Sequence, residues 1–80
     1  MKILKFSATW CTPCKNLDRT LEEMAIPYPI QNVDIDRQPE LAGEFAIRGV
    51  PTLVLITSEG KEQGRLVGGK TKADIMEWLS

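Results

Sequence analysis

Trp10-Cys11-Thr12-Pro13-Cys14 is the stretch that decides how this chain is read. It holds the only two cysteines of 80 residues. A thiolate opens a disulfide by forming a mixed disulfide, and a second thiol nearby can then displace the first. The Cys-x-x-Cys spacing puts that second thiol one helical turn away. The apolar run Ile3-Leu4-Lys5-Phe6 precedes the pair and reads as a strand. After it, Leu17, Leu21 and Met24 recur at helical spacing. Proline is tolerated in a first helical turn, where its missing N–H has no partner to lose, so Thr12-Pro13 should start that helix. A dithiol between a strand and a helix is a far more specific signal than the spacing alone.

Position then separates the two thiols. Cys11 precedes the helix, where unpaired backbone N–H groups and the positive end of the dipole favour an anion. Its pKa should fall below the free-thiol value of about 8.5. Cys14 lies one turn inside and should have less contact with solvent. Cys11 is therefore expected to attack and Cys14 to resolve. A purely structural disulfide is the plainer alternative, but closing so short a loop removes little chain entropy. Half of a zinc site is another. Zinc normally takes four ligands, and the chain has no histidine and no further cysteine. No metal is expected, and no cofactor.

The elements continue outward in the order β-α-β-α-β-β-α. Pro27 and Pro29 end the first helix, and Ile30 to Ile35 reads as a second strand. Pro39 starts a short helix carrying Leu41 and Phe45, with Gly49 as its breaker. Thr52 to Ile56 is apolar without interruption, as expected of a strand covered on both faces. Ser58-Glu59-Gly60-Lys61 reads as a hairpin turn into a strand ending at Val67. Thr71-x-x-Asp74 has the form of a capping box, and Ile75, Trp78 and Leu79 give the last helix an apolar side. The prediction is one α/β domain over residues 1–80. Its sheet has four strands of mixed direction with helices on both faces. The first two strands are parallel, and the hairpin strands are antiparallel.

Composition adds exclusions. Ten basic and eleven acidic residues nearly cancel, and no basic run or basic–aromatic stretch suggests nucleic acid. Leu53-Val54-Leu55-Ile56 is the longest apolar stretch, far short of the roughly 20 residues a membrane helix needs. Met1-Lys2-Ile3-Leu4-Lys5 lacks the apolar core of a secretory signal, which favours the cytoplasm. In that reducing compartment a cysteine pair is more often catalytic or metal-binding than structural.

Trp10-Cys11-x-Pro13-Cys14-Lys15 resembles the active-site motif of the thioredoxin family. Ile47-Arg48-Gly49-Val50-Pro51-Thr52 resembles that family's cis-proline loop, and Val67-Gly68-Gly69 resembles the glycine turn before its last helix. The three stand in the family's order across nearly the whole chain. Longer members carry a further strand and helix before the strand that leads to the cysteines. In size the chain is closer to a glutaredoxin or to the small thioredoxins of phages and archaea.

The resemblance implies a monomeric reductase of protein disulfides. It implies a cis peptide before Pro51 and a client segment pairing with the backbone of Val50. Trp10 would shield the thiols and offer a contact surface, and Gly68 would let a client backbone approach. Trp78, at helical spacing, is read as core. The implied clients are disulfide-containing proteins such as ribonucleotide reductase, peroxiredoxins or methionine sulfoxide reductases. An NADPH-dependent thioredoxin reductase would supply the electrons. A glutaredoxin-like enzyme recharged by glutathione is the alternative, although such enzymes usually place proline directly after the first cysteine. A binding module that merely uses the fold is a third reading, against which both cysteines and Trp10 argue.

Three positions depart from the family. Lys5 stands where thioredoxins usually bury an aspartate that relays the proton of the resolving thiol. Asn32 stands where its lysine partner is expected. Thr12 replaces the usual glycine. Lys5 either extends its ammonium to water along its stem or holds the amine near Cys14.

Overall fold

The computed structural model describes residues 1–80. Strand β1 (Lys2–Ser7) leads through helix α1 (Thr12–Glu22) to strand β2 (Ile30–Asp34). Helix α2 (Pro39–Glu44), strands β3 (Thr52–Ile56) and β4 (Glu62–Val67), and helix α3 (Lys72–Leu79) follow. The element order is the one predicted. The sheet runs β2-β1-β3-β4. β1 and β2 are parallel with Phe6 opposite Val33. β1 and β3 are antiparallel with Leu4 opposite Val54, and β3–β4 is the expected antiparallel hairpin.

Alternation along the central strands sorts the core into two layers. On one face Ile3 and Leu53 pack with Leu17 and Leu21 of α1 and Ile75 of α3. On the other, Leu4, Phe6, Val33, Val54 and Ile56 lie against Leu41, Ala42 and Phe45 from α2 and its end. The helices therefore cover both faces. No helix is long and apolar enough to cross a membrane.

The local signals act as their chemistry requires. Pro13 sits in the first turn of α1 and Pro39 in the first turn of α2. Thr71 and Asp74 form both hydrogen bonds of a capping box at α3. Two readings need correction. The short helix ends at Glu44, well before Gly49, because Ala46 takes a left-handed φ of 52° and turns the chain there. The Ile47 N–H then reaches back to the Ala42 carbonyl, which satisfies the helix end. Trp78 is half-buried rather than core. It packs at the margin of the α1–α3 layer, and a Cβ placed on Gly64 would lie 3.4 Å from its indole nitrogen.

Candidate functional site

The site stands where β1 ends and α1 begins. Cys11 has extended backbone angles and is the N-cap of α1. The Cys14 N–H donates to the Cys11 sulfur at 3.1 Å, so this sulfur occupies the place a capping oxygen usually takes. Cys11 and Cys14 are joined as a disulfide, with their Cα atoms 5.3 Å apart. Negative charge forming on Cys11 during reduction would thus face an N–H group and the helix N-terminus.

The exposure argument for separating the thiols does not hold in this oxidised form. Cys11 is 4% exposed and Cys14 is 3%. Burial does not rank them, because Cys11 is covered by the loop before β3. Its sulfur lies 3.7 Å from the Val50 carbonyl oxygen. Ala8 and Val50 close the same small apolar nest around the pair. The helix-capping position of Cys11 is what remains to distinguish it.

That loop has the expected shape. The Val50–Pro51 peptide is cis. Pro51 is buried, and its carbonyl accepts from the Gly68 N–H at 2.8 Å. This bond ties the turn after β4 to the loop beside the dithiol. Gly68 has φ of 90°, a conformation that favours glycine. No atom lies within 4 Å of where its Cβ would stand, so backbone conformation and not crowding explains the residue. Thr12 and Pro13 are exposed on the first turn beside the dithiol.

Trp10 is 67% exposed, as expected of an aromatic at the rim of the site. Its indole N–H donates to the Asp36 carboxylate at 3.0 Å. The sequence reading missed Asp36. It follows β2 by two residues, and only the parallel pairing of β1 with β2 brings it beside Trp10.

Lys5 is 8% exposed, on the sheet face that α1 covers. Its ammonium does not snorkel to open water. It forms an ion pair with Asp18 of α1. Burial pushes the Lys5 amine below its usual value, and the nearby Glu22 carboxylate opposes that fall. Asp18 was also missed. The signal was present: it follows Cys14 by four residues on a helix, so both share one face. Asn32 stands opposite Lys5 in register and is exposed. The charge partner thus comes from the helix, not from the neighbouring strand.

The chain matches the thioredoxin family model over residues 1–80. It is 40% identical over 78 residues to thioredoxin H5 of rice, covering 94% of this chain and 56% of the rice protein. It is 40% identical over 81 residues to the thioredoxin of Chlamydia trachomatis, covering 98% of this chain and 78% of that one. The structure superposes on Fasciola hepatica thioredoxin with a TM-score of 0.84 at 32% identity, covering 96% and 75% of the two chains. These similarities favour the thioredoxin reading over the glutaredoxin one. With the dithiol, its cis-proline loop and the sheet that holds them, the chain belongs to the thioredoxin family of thiol–disulfide oxidoreductases.

Proposed function

We propose that this chain reduces disulfides in client proteins and is itself recharged by an NADPH-dependent thioredoxin reductase. The supporting observation is the bonded Cys11–Cys14 pair, with Cys11 as the N-cap of α1 beside the Val50–Pro51 loop. The reduced Cys11 attacks a client disulfide as a thiolate. One client sulfur leaves, and the other forms a mixed disulfide with Cys11. Cys14 then attacks the Cys11 sulfur, which breaks the mixed disulfide and releases the client as a dithiol. The Cys11–Cys14 disulfide that remains is reduced by two electrons from the reductase.

The neighbours have assigned parts in this reading. The Val50 backbone and Pro51 present an extended surface to the client beside Cys11. Trp10 covers one side of the sulfurs, and the turn at Gly68 borders the other. Thr12 and Pro13 shape the first turn of the helix. The protein acts as a monomer and one domain, in a reducing compartment such as the cytoplasm. Ribonucleotide reductase is one candidate client among the disulfide-forming enzymes.

The electron donor provides the test. The oxidised protein is offered NADPH with thioredoxin reductase, or glutathione with NADPH and glutathione reductase, while insulin disulfides serve as the client. The first couple should sustain insulin reduction and the second should not. Efficient recycling by glutathione alone would favour the glutaredoxin-like alternative.

A further inference from the structure

The protein has three ion pairs, and Lys5–Asp18 alone has a buried cation. Asp18 borders both that cation and the cleft that holds Cys14. One turn before it on α1 is Cys14, and both line one cleft together with Lys15 and Asp34. On its other side Asp18 shares a hollow with Lys5, Glu22 and Asn32. The charged groups facing this region are thus Lys15, Asp18 and Glu22 from α1, Lys5 from β1 and Asp34 from β2.

We infer that Asp18 is a positioning residue for the dithiol, whose carboxylate compensates the Lys5 ammonium and so sets the acidity of the Cys14 thiol. The inference rests on the resolving role proposed for Cys14. A cation held beneath a thiol favours the thiolate, and an anion opposes it. In this chain the two opposite charges come as a bonded pair. In the resolving step Cys14 gives its proton to solvent, and its thiolate attacks the Cys11 sulfur. The bond from Cys11 to the client sulfur breaks, and that sulfur leaves as a thiolate. The acidity of Cys14 therefore governs how this step depends on pH. Deleting one member of the pair unmasks the other, and deleting both restores the balance. A merely structural ion pair would show no such reversal of sign.

The test uses the reduced full chain with one equivalent of an aromatic disulfide, 5,5′-dithiobis(2-nitrobenzoate). Attack by Cys11 releases the first thionitrobenzoate, and resolution by Cys14 releases the second. The second phase is followed against pH. Asp18→Asn should lower its midpoint by about one unit, and Lys5→Met should raise it by about as much. The Lys5→Met/Asp18→Asn double variant and Asp18→Glu should both return to within about 0.3 unit of the parent. The first phase should stay within about twofold of the parent in Asp18→Asn, which reports an intact fold at Cys11. An unchanged midpoint in Asp18→Asn would overturn the inference. So would a raised one, the sign of a lost proton acceptor, or a double variant that fails to return. A Cys14→Ser control separates the two claims, since a second release persisting there would refute the resolving role of Cys14 and not the charge pair.

Discussion

Replacing Ile75 with alanine should cost about 3–4 kcal/mol without altering the chemistry of the dithiol. Ile75 is wholly buried on α3 and packs with Leu17, Leu21, Ile3 and Leu53, so it joins the last helix to both the sheet and α1. The change removes about three carbons, worth roughly 2.4 kcal/mol at about 0.8 per methylene. A cavity term adds to this, because β1, β3 and α1 fix the surrounding walls and cannot close the gap fully. A domain of this size has roughly 4–12 kcal/mol in total, so the loss is a large fraction of its stability. Urea unfolding followed by circular dichroism reads it directly. With a slope of about 1 kcal/mol per molar, the midpoint should fall by about 3 M. Under conditions where the variant is folded, insulin reduction should match the parent, since the dithiol belongs to a separate apolar cluster. A loss below about 1 kcal/mol would refute the packing of α3 described above.

Other changes have equally definite outcomes. Ala46→Gly should raise stability by up to about 1 kcal/mol in the same unfolding assay, because a left-handed alanine costs about 1–2 kcal/mol and the added flexibility of glycine returns part of it. Hydrogen bonds from the Thr71 backbone N–H and hydroxyl hold the Asp74 carboxyl below its usual value. Its contribution is therefore full above the unfolded value near about 3.9 and fades as pH falls through the lower folded value. Asp74→Asn should accordingly flatten the acid limb of stability measured from pH 5 to 2, and an unchanged limb would contradict the cap. In Trp78→Phe the remaining Trp10 emission should change on reduction of the disulfide, whereas in Trp10→Phe the half-buried Trp78 should respond weakly.

Most of the architecture was legible because it is local. Leu17 and Leu21 keep one helical face, Leu53 to Ile56 is apolar without a break, and Thr71 with Asp74 marks a helix start. Each signal depends on neighbours a few residues away, and each element appears where those neighbours place it. The shape of the Pro51 loop was legible only through resemblance, since nothing in Val50-Pro51 itself distinguishes cis from trans. What could not be read depends on packing between distant segments. Lys5 finds Asp18 because α1 crosses that face of β1, and Asp36 reaches Trp10 because β1 and β2 run parallel. The helix from Pro39 stops at Glu44, because the chain turns toward β3 at Ala46, a residue with no breaker character. Cys11 is as buried as Cys14 because the loop carrying Val50 folds over it, a contact between residues 39 positions apart.

The central claim is that Cys11 attacks and Cys14 resolves, and trapping a client disulfide tests it most directly. Cys14→Ser and Cys11→Ser variants, each reduced, are mixed with a disulfide-containing protein such as insulin. Non-reducing electrophoresis and mass spectrometry then report any covalent adduct. The account predicts that Cys14→Ser accumulates a mixed disulfide through Cys11, because no thiol remains to release it. Cys11→Ser should form little or none, because its remaining thiol lies inside the helix without the N-cap position. Accumulation of the adduct through Cys14 in the Cys11→Ser variant, with none through Cys11 in the other, would contradict the assignment.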